Sequence, residues 1–315
     1  MYIDNSREIC YNEYNIFEKK DKHMKLIDIL NAETPALSFE VFPPKTTTAF
    51  ESVKTATEEI AALKPSFMSV TYGAGGGTSQ YTLDIAKNIK ERYGVPTLAH
   101  LTCVSSTRET VREKIAAIKA AGIQNVMALR GDIPADRLHE DRSGWAYRYA
   151  VDLIHELGES GADFCIGAAC YPEIHPESFN QKEDIHHLKE KVDAGAQFLT
   201  TQMFFDNNLF YNFLYKIREA GITVPVIPGI MPITSATQVE RAIKLSGSFM
   251  PQRFKSLVDR FGTSPEAMKQ AGIIYATDQI IDLYANGIMG IHVYSMNKPD
   301  VARLIQSHVS SIIGK

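Results

Sequence analysis

The sequence has few of the features that would assign it at a glance. Its 315 residues include only 4 cysteines, Cys10, Cys103, Cys165 and Cys170, and none of them form a Cys-x-x-Cys pair. A chain of this length can hold a core without disulfides, so reduced, buried thiols are expected. No apolar run reaches the roughly 18 residues of a membrane span, and the N-terminus mixes charge with polarity where a signal peptide would place an apolar stretch. A cytoplasmic protein with no membrane partner is the expectation. Positive charge is also scarce: 33 Lys and Arg against 37 Asp and Glu leave a net charge of −4, which argues against a nucleic-acid partner. There is no G-x-G-x-x-G fingerprint, no P-loop and no H-E-x-x-H spacing. No metal site is therefore expected, and His175, His186 and His187 read as surface or packing histidines.

What is present is regular. At 44% hydrophobic and 22% charged residues the composition is that of a globular protein. Eight short runs rich in β-branched or aromatic residues occupy 37–42, 67–72, 97–103, 126–131, 164–170, 198–204, 224–230 and 291–296. The first seven start 26 to 38 residues apart, the length of one strand, one helix and two loops. The runs are almost continuously apolar, as parallel strands covered on both faces must be. Amphipathic stretches lie between them. In 107–121, Val111, Ile115 and Ile118 make one stripe and Gly122 follows as a stop; 78–93 and 181–194 read similarly. The gap before the eighth run is about twice the others and holds two helical stretches, 252–261 and 265–284, taken as an insertion. The pattern predicts an α/β chain folded as a single-domain (β/α)8 TIM barrel over 25–315, with extra helices before the last strand. Residues 1–24 show no sustained periodicity and are expected to be a disordered extension.

In such a barrel the reactive residues come from the C-terminal strand ends. The first run carries Glu40 within Ser38-Phe-Glu-Val-Phe-Pro-Pro-Lys45. Between Phe39 and Phe42 an apolar setting would raise its pKa and suit it to general acid work. The second runs into Thr71-Tyr-Gly-Ala-Gly-Gly-Gly-Thr-Ser79, whose bare backbone fits either close approach to a ligand or a lid. His100 and Thr102 end the third, and Arg130-Gly-Asp132 the fourth, an anion-binding cation beside a carboxylate. The fifth leads into Ala169-Cys-Tyr-Pro-Glu-Ile-His175-Pro, the sixth ends at Gln202, and the eighth supplies Tyr294 and Lys298.

The first of these motifs, followed by Ser-Val-Thr-Tyr-Gly-Ala, Ala-His-Leu-Thr-Cys, Ala-Leu-Arg-Gly-Asp, Tyr-Pro-Glu-Ile-His-Pro, Lys-Val-Asp-Ala-Gly-Ala and Thr-Gln-Met-Phe-Phe-Asp, resembles in order and spacing the 5,10-methylenetetrahydrofolate reductase family over 36–310. The resemblance is to the bacterial type, a catalytic barrel alone. It implies an FAD-dependent, ping-pong reduction of 5,10-methylenetetrahydrofolate to 5-methyltetrahydrofolate by NAD(P)H, with NADH favoured, supplying methyl groups for methionine synthesis. It implies Glu40 and Asp132 as the catalytic pair, Glu40 protonating the leaving folate nitrogen and Asp132 facing the cation so formed. FAD would be lined by Thr71, Tyr72, Ala74, His100, Arg130, Gly131, Asp132, Tyr149, Ala150, Tyr171, His175, Asp184, His187 and Lys191. Thr71, Gln202, Gln238, Tyr294 and Lys298 would border the substrate beside Glu40 and Asp132.

The pattern also departs from the family. Ala242 stands where an aromatic stacking residue is expected, Lys298 where arginine is usual, and Glu190 and His187 where basic or amide residues are expected. Two alternatives remain at this stage: another flavin barrel of the proline-dehydrogenase kind, and a folate-binding subunit that takes electrons from a partner. Symmetric self-association through barrel helices fits any of the three.

Overall fold

Parity along the first strand sets up the whole interior. In β1, Ala36–Val41, the side chains of Leu37, Phe39 and Val41 join the apolar layer under the helices, whereas Ser38 and Glu40 take the opposite face and point into the barrel. The structure is a computed structural model describing residues 24–44, 47–72, 79–137 and 139–315. Ala74, the glycine-rich stretch around it, Lys45 and Cys10 lie outside these residues, as does nearly all of the N-terminal extension.

The chain then alternates: α2 Phe50–Ala62, β2 Phe67–Val70, α3 Ser79–Tyr93, β3 Thr97–Thr102, α4 Arg108–Ala120, β4 Asn125–Leu129, α5 Ala150–Glu159, β5 Cys165–Cys170, α6 Gln181–Asp193, β6 Phe198–Thr201 and α7 Asn207–Glu219. After α7 come β7 Val226–Ile227, β8 Gly229–Ile230, three helices (α8 Ala236–Ser246, α9 Gln252–Phe261, α10 Pro265–Ala285), β9 Gly290–Val293 and α11 Pro299–His308. Ahead of β1 lies a short helix, α1 Leu26–Leu30.

All strand pairs are parallel, in the order β7-β6-β5-β4-β3-β2-β1-β9-β8. The two ends of that order are one barrel strand broken at Pro228: β7 pairs β6, and β8 pairs β9. Proline has no N–H to give a ladder, yet its carbonyl still accepts from His292 N at 2.9 Å, so the ring closes through the break. Eight barrel positions result, and each of the eight apolar runs supplies one.

At the N-terminal end, α1 acts as a plug. Leu26 and Leu30 pack with Phe67, Leu98, Met127, Cys165, Phe198 and Ile227, which close the barrel bottom. Asn125 anchors the plug by accepting from Leu26 N at 2.8 Å. Cys103, Cys165 and Cys170 are free and buried, and burial pushes each thiol above its ordinary range.

The stretch before the last strand divides differently from the sequence pattern. The 265–284 stretch is α10, which takes the ring position between α7 and α11 and buries Ile273, Ala276, Ile280 and Leu283 in the main core. The additional helices are α8, which brings Gln238 and Ala242 to the C-terminal mouth, and α9, which packs on α10, with Ile233, Phe254 and Met268 in the core between them. They are drawn in close by Gly272 of α10, where an added Cβ would stand 1.6 Å from the Ile233 carbonyl oxygen.

Candidate active site

At the C-terminal mouth the strand ends open into one continuous cavity of about 2100 Å³. Glu40, Thr71, Tyr72, His100, Arg130, Gly131 and Asp132 line it from β1 to β4. Tyr149 and Ala150 enter at the start of α5; Tyr171, His175, Asp184, His187 and Lys191 from β5 and α6; Gln202, Gln238 and Tyr294 from the far side. Lys298 is absent from this lining: it sits at the start of α11 and its Nζ donates to Thr234 Oγ1 at 2.8 Å.

The surroundings of Glu40 are polar, in contrast to the apolar setting read from its neighbours in sequence. Phe39 turns outward with strand parity, and register brings Ser69 opposite Glu40 and His292 opposite Ser38. Ser69 Oγ lies 3.4 Å from Glu40 Oε2 and 3.0 Å from His292 Nε2. Ser38 Oγ donates to the Ile291 carbonyl at 2.9 Å, so toward His292 Nδ1, 2.8 Å away, it acts as acceptor. In neutral His292 the proton is thereby assigned to Nδ1, and Nε2 accepts from Ser69. The order Ser38, His292, Ser69, Glu40 leads from the buried barrel interior to a carboxylate at the cavity. His292, Ser38 and Ser69 were not singled out from the sequence; the signal available was polar residues at inward parity in otherwise apolar strands.

His100 Nε2 also lies 3.7 Å from Glu40 Oε2. That spacing suits an ion pair, but burial outweighs the carboxylate's pull and lowers the His100 pKa to about 4, with His292 pushing the same way. The imidazole is neutral at pH 7, so this contact is not a salt bridge. The unfolded chain takes up the proton near 6.5 and the folded one only near 4. Folding stability contributed by His100 is therefore full above the higher value and falls as pH drops through that window, by up to about 3 kcal/mol. Urea unfolding measured from pH 7 to 4 should show this loss, and His100→Gln should flatten that part of the profile.

Arg130 is held as a fork. Its Nη1 and Nη2 donate to Glu177 at 2.6 and 2.8 Å, its Nε to the Gly131 carbonyl at 3.2 Å, and Arg142 lies 3.7 Å from the same Glu177. Glu177 is thus a site residue that sequence reading missed. The turn beneath it requires glycine: Gly131 has φ +89, and a Cβ there would meet Val104 Cγ1 at 2.9 Å and Thr102 Cβ at 3.0 Å. Gly131→Ala is expected to cost about 1–3 kcal/mol, read as a lower melting temperature. Asp132, next along, is solvent-exposed at the cavity edge, while Glu40 is buried.

Around β5 the wall is stiff. Tyr171 and His175 pack edge to face at 4.6 Å, and His175 Nδ1 accepts from Glu177 N at 3.1 Å. Burial lowers the His175 pKa. Between them Ile174 has φ +93, a strained conformation for a β-branched residue. Lys191 is half-buried, with its pKa lowered by desolvation, and donates to the Ala169 carbonyl at 3.0 Å. At the rim His187 stacks toward Tyr149 at 6.4 Å and meets Glu190 at 2.9 Å; His186 pairs with the same glutamate at 3.6 Å.

Two buried polar atoms of the cavity wall, His100 Nε2 and Tyr72 Oη, have no hydrogen-bond partner among the described residues. Such groups are rare in folded proteins, and these two stand at the wall of the cavity.

Barrel, plug and mouth together define a (β/α)8-barrel protein whose working face is the C-terminal end of the strands. The sequence profile described as methylenetetrahydrofolate reductase matches residues 25–310. The chain belongs to the methylenetetrahydrofolate reductase family. It is 36% identical over 269 residues to the 5,10-methylenetetrahydrofolate reductases of Pectobacterium carotovorum and Escherichia coli, covering 85% of this chain and 88% of each relative. It is 36% identical over 285 residues to methylenetetrahydrofolate reductase (NADH) 1 of Zea mays, covering 87% of this chain but 48% of the longer plant protein. Among solved structures, an uncharacterized Clostridium thermocellum protein that binds two copies of 5-methyl-5,6,7,8-tetrahydrofolic acid shares the fold. Its TM-score is 0.66 at 14% identity, over 91% of this chain and 98% of that one. No helix among the described residues is long and apolar enough to cross a membrane.

Proposed function

We propose that this chain catalyses the FAD-dependent reduction of 5,10-methylenetetrahydrofolate to 5-methyltetrahydrofolate, with NADH as the electron source. The observation that carries the reading is the convergence, on one cavity of a family member, of a buried carboxylate, an exposed carboxylate and unpartnered polar atoms. The donor set fits a flavin dinucleotide. His100 Nε2 and Tyr72 Oη offer hydrogen bonds that the protein leaves unmade, and Arg130 and Lys191 add positive charge on the same wall. Thr71, Gly131, Tyr149, Ala150, Tyr171, His175, Asp184 and His187 complete the proposed holding surface.

Bound FAD would supply the hydride-carrying chemistry between NADH and the folate, held by the residues just named. The work of the chain lies in the protons and charges. Glu40 gives a proton to the folate nitrogen that leaves as the five-membered ring opens and takes its replacement from solvent through the cavity it faces, while Ser69 and His292 hold the carboxyl from the barrel side. Asp132, at the open side, places negative charge beside the carbon cation that this step creates. Gln202, Gln238 and Tyr294 border the folate; the Tyr294 hydroxyl is committed to the Thr201 carbonyl at 2.6 Å, so its ring serves as a wall. Lys298 donates to Thr234, which in turn donates to Gln238. NADH is favoured because plant relatives of the family carry it in their names.

Purified protein decides among the flavin readings. The reductase reading expects a yellow protein whose 450 nm absorbance is bleached by NADH and not by proline. Bleaching by proline alone would make it a different flavin barrel, and no bleaching by NADH would make it a folate-binding subunit dependent on a partner.

A further inference from the structure

On the substrate side of the cavity, one helical turn after Gln238, the wall position holds only a small side chain. Ala242 of α8 stands there, 3% exposed, at the cavity wall. Three methionines surround the same region: Met203 after β6, Met231 after β8 and Met296 after β9. These strands are neighbours around the barrel, so the three side chains make a contiguous stretch of wall. All three pack in the cluster that also contains Ala242.

Met296 is held there at a cost. It has φ 55 and Asn297 φ 54, both left-handed, and Asn297 fixes the turn by accepting from Phe42 N at 2.8 Å and donating to Phe42 O at 3.0 Å. Non-glycine residues keep such backbone where the surroundings over-determine it, and these sites cluster at ligands. Beside the methionines stand two carboxamides. Gln202 Oε1 accepts from Met203 N at 2.8 Å, and Gln238 Oε1 accepts from Thr234 N at 2.7 Å and Thr234 Oγ1 at 3.0 Å. With their oxygens so engaged, each can offer its amide N–H to a ligand. The subsite therefore combines a soft, polarisable apolar wall with two donors at its edge.

We propose that Met203, Met231 and Met296 form the surface on which the flat heteroaromatic ring of the substrate packs, beside the space left by the small side chain of Ala242, with Gln202 and Gln238 donating to the ring's edge. This rests on the reductase reading and deepens it. A reaction that admits nicotinamide and pterin rings in turn to one place is served by side chains with three rotatable bonds that repack around each ring.

The test uses the FAD-loaded full chain and calorimetric titration with 5-methyltetrahydrofolate. Met203→Ala, Met231→Ala and Met296→Ala should each weaken binding roughly three- to tenfold, from the loss of sulfur–ring and packing contacts, with FAD content unchanged. Adding Ala242→Phe to Met231→Ala should recover part of that loss, because the ring fills the space vacated. Where an alanine variant fails to hold FAD, leucine at that position decides: binding weaker by about two- to threefold supports the wall, and unchanged binding overturns it. Wild-type affinity in all three alanine variants also overturns it. If the wild-type chain itself binds no 5-methyltetrahydrofolate, the reductase reading falls, and the methionine wall with it.

Discussion

Glu40→Gln is expected to leave NADH-driven flavin reduction within about twofold of wild type while slowing transfer to methylenetetrahydrofolate by about 10²–10⁴. The substitution keeps size and hydrogen-bonding shape but removes the transferable proton, so it separates chemistry from packing. The side chain is 7% exposed and faces the cavity. Its near neighbours, Ser69, His100 and His292, are themselves held by strand register and tolerate a neutral carboxamide. A single-turnover experiment on each half-reaction makes the comparison. Equal slowing of both halves would mean that Glu40 holds the barrel mouth in shape and does no proton transfer.

The second large effect is on stability. Gly272→Ala would put a methyl group 1.6 Å from the Ile233 carbonyl oxygen and 2.8 Å from its carbon. Both are backbone atoms, so relief requires α10 to part from the segment leading into α8. Overpacking of this kind reaches the upper end of its range, about 3 kcal/mol, or roughly a 4–5 °C fall in Tm for a chain of this size. Because Thr234 and Gln238 lie on the displaced segment, affinity for the folate should fall in the same variant. Gly158→Ala is the control: in α5 an added Cβ there meets nothing within 4 Å, and the change should be neutral or stabilise by a few tenths of a kcal/mol. If the two variants melt alike, close approach of α10 is not what seats the extra helices.

Much of the architecture was legible because parallel barrel strands are buried on both sides and so read as apolar runs. That logic also explains where it was incomplete. The seventh run is one apolar stretch in sequence, but Pro228 splits it into β7 and β8, each serving a different neighbour. The stretch taken as a two-helix insertion contributes a ring helix, α10, because its apolar residues cover nearly all its faces and no single stripe shows which side is inward.

Individual site residues were legible wherever a polar side chain ends an apolar run, as Glu40, His100 and Arg130 do. Their surroundings were not, because cross-strand register decides them. Phe39 and Phe42 are the neighbours of Glu40 along the chain, but Ser69 and His292 are its neighbours in space, 29 and 252 residues on. Glu177 was hidden in the same way: only the folded loop brings it to Arg130. Lys298, placed with the substrate by motif position, lies off the cavity lining and donates to Thr234.

In the proposed reaction this one cavity both takes electrons from NADH and delivers them to methylenetetrahydrofolate. Anaerobic mixing of the NADH-bleached protein with 5,10-methylenetetrahydrofolate measures it directly. Return of the 450 nm absorbance, with one equivalent of 5-methyltetrahydrofolate formed per flavin, is the predicted result; a flavin that stays bleached, with no methyl product, would contradict it.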